Sequence, residues 1–282
     1  MLTVPPPSAA LCLSSRQVYD TAEALSAGTA ALFAQVARAA IARKGAACIA
    51  LSGGSLPKRL AGLAQAAGAQ LDWSKVHIFL ADERMVPPTD SEYNARVLRT
   101  AFLDAVPCPA SNVHEVNTSA GSPQDAATQY EASILGLSAD MLPRNGDGQP
   151  VFDLILLGVG PDGHTASLFP NRLTLKPTQR VVLPVDNSPK PPPKRVTLSL
   201  SCINAAANVA FVADGASKAE VVQRCLEVQV LPGALPAQMV RVAAPGEVRW
   251  LLDTSAAGSL ASSDWANPSK FPRSEVPAPP KQ

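Results

Sequence analysis

An α/β fold built on a doubly wound, mostly parallel sheet flanked by helices, Rossmann-like in outline, is what this sequence predicts. Short apolar runs alternate with longer stretches of helical spacing between residues 16 and 252, the order that repeated βαβ units impose. Four of those runs lead directly into glycine-rich or charged turns, at 52–55, 82–84, 158–165 and 214–218. In such sheets ligands bind beyond the carboxyl ends of the strands, so the four turns are expected to share one rim.

Each element has its own signal. Residues 1 to about 14 read as a loose arm, and 16–44 as a helix with apolar positions 18, 22, 25, 32, 36 and 40, closed by Lys44-Gly45 as a C-cap would close it. The first buried strand is expected at 46–51. It runs into Ser52-Gly53-Gly54-Ser55 and then a helix with Leu56, Leu60 and Leu63 on one face and Pro57 in its first turn, where proline is tolerated. A strand at 76–81 ends in the charged loop Asp82-Glu83-Arg84, and a helix carrying Asn94 is expected over 91–102. Ser122 with Pro123 and Asp125 opens the next helix, to about 137, by the S-x-x-D cap. Residues 152–157 form the central strand, 180–185 and 195–200 two more, with Pro189 to Pro193 forbidding regular structure between them. A strand at 208–213 leads into the helix that begins near Gly215, and 247–252 forms the last strand. These elements make a single domain over 15–255, with 1–14 and 256–282 as flexible tails, the latter rich in Ser, Pro and Lys.

Bulk properties exclude several classes. The 282 residues are 46% hydrophobic with a net charge of +1, enough for a sizeable core and no electrostatic reason to expect nucleic acid or a membrane surface. No apolar run in the sequence approaches a membrane span, and Pro5-Pro6-Pro7 stand where a signal peptide would need its basic and apolar regions. Five widely spaced cysteines without a C-x-x-C read as reduced thiols of a cytoplasmic protein rather than disulfides or a metal site. Composition alone leaves an organellar presequence open.

The chemistry is concentrated in the turns. The loop after the central strand holds Asp162, His164 and Thr165 within four residues, and it reads as strand, active-site loop, helix start. Gly158-Val159-Gly160-Pro161-Asp162-Gly163 is literally GxGxxG, yet Pro161 removes a donor and no Asp or Glu follows through Val182. Both features argue against a dinucleotide. Gly53, Gly54 and Ser55 open a helix and suit a phosphate. Arg84 beside Asp82 and Glu83 can be held rigid to grip an oxyanion. Lys218, in a first helical turn, opposes the helix dipole unless an anion intervenes. Together these supply an amide cradle, an Arg and a Lys for a phosphate, and a His with the neighbouring carboxylates Asp162 and Asp82 for proton transfer. No cofactor or metal is needed for that inventory.

The pieces LSGGSLP (51–57), DERMVP (82–87) with Asn94, LGVGPDGHTASLFP (157–170), DNSPKPPPKRVTLSL (186–200), ADGASKAE (213–220) and LPAQMV (235–240) resemble the 6-phosphogluconolactonases. That family shares a superfamily with glucosamine-6-phosphate isomerase (deaminase). The resemblance implies cofactor-independent hydrolysis of 6-phospho-D-glucono-1,5-lactone to 6-phosphogluconate in the pentose phosphate pathway. The isomerase branch places a carboxylate a few residues after the His, whereas 165–171 here has none, which favours the lactonase over the deaminase. A sugar-phosphate-binding regulator without turnover is the rival from another class. On this reading His164, neutral because it lies near a helix N-terminus, activates water. Asp162 either orients it or shapes the loop. Arg84 and Lys218 hold the 6-phosphate with the Gly53, Gly54 and Ser55 amides and Thr165, although Arg84 could instead face the carbonyl.

Overall fold

A computed structural model of the protein describes residues 14–65, 70–228 and 230–261. Of the expected tails at 1–14 and 256–282, residues 1–13 and 262–282 lie outside the described residues. Seven strands form one parallel sheet: β1 (Ser14–Tyr19), β2 (Ala47–Leu51), β3 (Val76–Leu80), β5 (Val113–His114), β6 (Leu154–Leu157), β9 (Asn208–Ala213) and β10 (Glu247–Asp253), in the order β1-β10-β9-β6-β2-β3-β5. β2 and β6 are buried along their whole length, as strands covered on both faces should be. The chain runs outward from β2 to β3 and β5, then returns to lay β6 on the other side of β2. The topological switch point therefore lies between β2 and β6. Open α/β sheets bind ligands beyond the strand ends at such a point, and the SGGS and His164 loops are the two that leave from it.

Helices α1 (Ala22–Lys44), α2 (Asn94–Ala101), α3 (Pro123–Leu135), α4 (Leu200–Ala205) and α5 (Ala219–Glu227) flank the sheet. The first is shorter than the sequence predicts. Residues 16–19 belong to β1, an edge strand paired in parallel with β10, a partner more than 200 positions away that overrides local helical spacing. Thr21 then caps α1 by accepting from Ala24 N at 3.1 Å. Its end is as expected: Gly45 adopts φ 83° and donates to the Ile41 carbonyl at 2.8 Å. By length and composition α1 could cross a membrane, contrary to the sequence reading. Its Leu25, Leu32, Phe33, Ala37 and Ala40 are instead buried in the core, where Phe33 meets Trp73 and Phe102 at centroid distances of 6.0 and 6.4 Å.

A second, three-stranded antiparallel sheet has no counterpart in the sequence reading. It consists of β4 (Asp82–Arg84), β8 (Arg195–Leu198) and β7 (Val182–Val185) in that order. The charged loop expected at 82–84 is thus a strand, in a register that sets Arg84 opposite Arg195. The strand expected over 195–200 stops at Leu198, where Ser199 caps α4 by accepting from Cys202 N at 3.0 Å. The packed body also passes the expected boundary at 255, since Ala256 and Ala257 are buried.

At the β3–β5 edge, His77 Nδ1 lies 3.2 Å from His114 Nε2, and His114 stacks on Phe79 at 4.2 Å. Burial, then the neighbouring His77, pushes His114 down to about 4. Burial and Lys44 lower His77. Between pH 6.5 and 4 the unfolded chain binds protons that the native pair refuses, so stability must fall as pH falls through that window. After allowance for partial solvent screening, His114 alone is expected to remove up to about 2 kcal/mol by pH 4. Urea denaturation of the wild type and His114→Phe at pH 7 and 4.5 checks this. Equal losses in the two proteins would contradict it.

Candidate active site

The SGGS turn leaves β2 at the switch point with its first amide tied down, Ser52 N donating to the Leu156 carbonyl at 3.0 Å. The N–H groups of Gly53, Gly54 and Ser55 make no hydrogen bond among the described residues. A Cβ on Gly53 would sit 1.8 Å from Asn94 Oδ1, so only glycine lets this turn close on Asn94. That buried side chain donates to the Asp82 carbonyl at 2.9 Å and so ties the first turn to the second. The segment after the turn, Leu56–Ala64, is 3₁₀ rather than the expected α-helix, with Leu56, Leu60 and Leu63 buried as foreseen.

Around the second turn the charges divide differently from the expectation that Asp82 and Glu83 hold Arg84. Glu83, fully buried, accepts from the backbone N–H groups of Arg84, Asn94 and Ala95 at 2.8, 2.8 and 2.9 Å, and so caps α2. Asp82 accepts from Ser167 Oγ at 2.8 Å, which anchors the loop carrying His164. Arg84 is held by Glu92, 2.5 Å away, and its Nε is buried with no partner among the described residues. Ser52 Oγ is likewise buried and unpartnered.

The third turn is a compact coil, and no helix starts after His164. Gly160 N donates to the His164 carbonyl and Gly163 N to the Gly160 carbonyl, both at 2.9 Å. A Cβ on Gly160 would stand 1.9 Å from the His164 ring, so the glycine is required by the imidazole itself. The expected helix N-terminus is absent, which also removes the element a dinucleotide would need. Thr165 is corrected too: it is buried, and its hydroxyl donates to the Gly158 carbonyl at 2.9 Å. Its amide donates to Leu168 O, so the residue builds the loop and has no free donor for a substrate.

His164 Nδ1 is hydrogen-bonded to Asp162 Oδ1, and the ring stacks on Phe169 at 4.8 Å. Burial lowers the imidazole below its ordinary range, Asp162 pulls it back up, and Lys190 pushes it down, with a net downward result. Burial would raise Asp162, but its bond to His164 and the charge of Lys190 outweigh this and hold it below the usual carboxylate range. At pH 7 the pair is therefore a carboxylate and a neutral imidazole. An Nδ1–H donated to Asp162 leaves the lone pair on Nε2. The cause differs from the dipole invoked from sequence, but the protonation state is the same.

Ser52, Gly53, Gly54, Ser55, Asp82, Arg84, Gly160, His164, Arg195 and Lys218 line one cleft of about 160 Å³. Seven of the nine residues singled out from sequence line it, Asp82 among them. Of the other two, Asp162 adjoins through His164, while Thr165 does not reach the cleft. Lys218, just before α5, donates to the Val159 carbonyl at 2.8 Å. Burial, followed by repulsion from Lys190, lowers its proton affinity.

Two further cations at the cleft escaped the residue-by-residue reading. Arg195, only 3% exposed, lines the cleft without a carboxylate partner among the described residues. Its contacts are to the carbonyls of Lys190, Pro191 and Pro192, to Ser167 Oγ at 3.4 Å, and to the Phe169 ring at 5.6 Å. Lys190 Nζ reaches Asp162 Oδ1 at 3.1 Å. The signal was present in PKPPPKR, three cations around a rigid proline run. Which of them turns inward depends on the strand register, and Lys194 points out to solvent.

The model of the family "Glucosamine-6-phosphate isomerases/6-phosphogluconolactonase" matches residues 20–250. A 6-phosphogluconolactonase of Rattus norvegicus is 40% identical over 247 residues, 86% of this chain and 92% of that protein. One of Mycobacterium bovis is 37% identical over 254 residues, covering 88% and 99%. The solved 6-phosphogluconolactonase of Trypanosoma brucei superposes with a TM-score of 0.71 at 31% identity, over 88% of this chain and 99% of that one. A shared fold would not by itself carry the site across, but here the motifs, the switch-point cleft and the whole-length likeness agree. This chain belongs to the glucosamine-6-phosphate isomerase/6-phosphogluconolactonase family.

Proposed function

We propose that this protein is a 6-phosphogluconolactonase, hydrolysing 6-phospho-D-glucono-1,5-lactone to 6-phosphogluconate in the oxidative pentose phosphate pathway. The observation that carries the reading is a neutral, carboxylate-oriented imidazole in a cleft whose remaining charges are mostly positive. A dianionic phosphate at one end of a substrate and a carbonyl at the other match that layout.

A lactone is an activated ester, so catalysis requires a positioned water, a base, and charge stabilisation in the transition state. His164 Nε2 removes a proton from the water as its oxygen bonds to C1. The carbonyl oxygen becomes an oxyanion, steadied by a neighbouring guanidinium. When the tetrahedral intermediate collapses, the bond from C1 to the ring oxygen breaks and the imidazolium returns the proton to that oxygen. Lys218 and the free amides of Gly53, Gly54 and Ser55 hold the phosphate, the amides acting as a nest for the anion. Arg84 and Arg195 face each other across the β4–β8 register, and we assign the oxyanion to this pair. The isomerase chemistry of the other branch is disfavoured because the carboxylate nearest the base, Asp162, precedes it and the loop that follows has no acid.

The direct test is a coupled assay with freshly generated lactone, corrected for spontaneous hydrolysis. Turnover in the wild type is expected, and binding of 6-phosphogluconate by calorimetry without turnover would overturn the reading in favour of a regulator. Lys218→Met should raise KM roughly tenfold or more with kcat changed little, the pattern for loss of uniform binding. A loss confined to kcat would remove Lys218 from the phosphate.

A further inference from the structure

Lys190 takes part in none of the steps above, yet its placement is built with care. The segment Ser188 to Pro193 has no regular secondary structure and is instead closed on itself. Ser188 N donates to the Pro193 carbonyl at 2.9 Å, Ser188 Oγ donates to the Lys190 carbonyl at 2.8 Å, and Lys190 N donates back to that oxygen at 3.1 Å. Arg195 then grips the loop from below, donating to the carbonyls of Pro192, Lys190 and Pro191 at 2.9, 3.1 and 3.0 Å. The outcome is one ammonium group fixed 3.1 Å from Asp162 Oδ1 and 3.3 Å from His164 Nδ1.

As a surface ion pair this would be unremarkable. Lys190 and Asp162 are each about a third exposed, 37% and 35%, and pairs so exposed add little to stability. A rigid loop clamped by a nearly buried arginine is poorly explained by so small a gain. The geometry points to a different use: Lys190 is a positioning residue of the catalytic pair, a fixed cation that keeps Asp162 as a carboxylate accepting from Nδ1–H and keeps His164 unprotonated until it takes the proton from water. This rests on the lactonase reading of the same cleft.

The remaining charges around the ring set what Lys190 must balance. Asp162 on the same loop and Asp82 on β4 favour imidazolium. Arg84 on β4, Arg195 on β8 and Lys218 before α5 also border the cleft, while Phe169 covers one face of the ring. Two carboxylates beside a histidine would ordinarily leave it partly charged near neutrality, and of the cations Lys190 is the one in contact with Nδ1 and its acceptor together. A catalytic base that is already protonated is idle, so the ammonium extends the working range toward lower pH.

The test compares wild type, Lys190→Met and Lys190→Arg by two measurements, the pH dependence of kcat/KM on the lactone and the ¹⁵N titration of the His164 ring without substrate. In Lys190→Met both the acid limb and the imidazole midpoint should move to higher pH by on the order of half a pH unit or more. On the acid limb well below the wild-type midpoint, activity relative to that at pH 8 should fall about threefold as a consequence. Lys190→Arg, which keeps the charge, should restore both. Coincident imidazole midpoints in the three proteins would overturn the inference, as would a Lys190→Met whose whole defect is in KM with an unmoved acid limb. If Lys190→Met does not fold, Lys190→Gln takes its place under the same criteria. A wild type that does not hydrolyse the lactone would defeat the proposed function, and the ring titration would still decide the role of Lys190.

Discussion

His164→Ala is expected to lower kcat for the lactone by a factor on the order of 100 or more while leaving KM within a few-fold, the loss characteristic of a general base. The imidazole is the neutral nitrogen base lining the cleft, whereas Lys218, Arg84 and Arg195 are there as cations. Removing the ring takes away the acceptor for the water proton and the donor for the departing ring oxygen in one step. The phosphate contacts proposed for Lys218 and the SGGS amides stay in place. The pH profile gives a second measure of the same residue. Because burial holds His164 below its ordinary range, wild-type kcat/KM should stay level on falling through pH 6.5 and decline only below it, and that decline should vanish from the residual rate of the alanine variant. Unchanged turnover in His164→Ala would take the residue out of the chemistry.

Asp162→Asn should come close to the same loss, again on the order of 100-fold in kcat, with little change in melting temperature. On the proposed mechanism the carboxylate has two functions that an amide cannot replace. It accepts from Nδ1–H and thereby keeps the lone pair on Nε2, and its negative charge stabilises the imidazolium that forms as water is deprotonated. Where a buried carboxylate plays this part in a serine protease triad, the amide variant keeps the geometry and loses most of the rate, because the ring settles in the wrong tautomer. The alternative left open by the sequence was that Asp162 only shapes the loop. The loop, however, is closed by backbone bonds of its own, Gly160 N to His164 O and Gly163 N to Gly160 O, with Thr165 pinned to Gly158. If the variant instead melted far below the wild type while its folded fraction turned over normally, Asp162 would be a structural residue.

Much of the site was legible because the residues that leave the carboxyl ends of parallel strands are few and chemically unusual. SGGS, DER, GPDGH and the stretch around Lys218 can each be read from a local pattern, a buried run broken by glycine or charge, and the rule that ligands bind beyond the carboxyl ends of parallel strands gathers them on one rim. Two errors have a common cause: residues 16–19 read as helix and 82–84 as loop, and in both a partner distant in the chain decides otherwise, β10 for the first and β8 for the second. Thr165, read as touching substrate, is instead claimed by the Gly158 carbonyl seven residues back in the same tight loop. The neutral state of His164 was foreseen for the wrong reason, since no helix begins there and burial, opposed by Asp162 and aided by Lys190, sets it instead.

The sequence by itself determined the alternation of strands and helices, the turns that carry the chemistry, and the histidine at their centre, because hydrophobic period, glycine and proline act over a few neighbouring residues. Only the tertiary structure decided which cations turn inward, that Arg84 is held by Glu92, that Arg195 faces Arg84 across a second sheet, and that Lys190 stands against the Asp162–His164 pair. Those outcomes depend on strand register and on the balance of burial against charge over segments up to about a hundred residues apart. Neither quantity exists until the chain has folded back on itself.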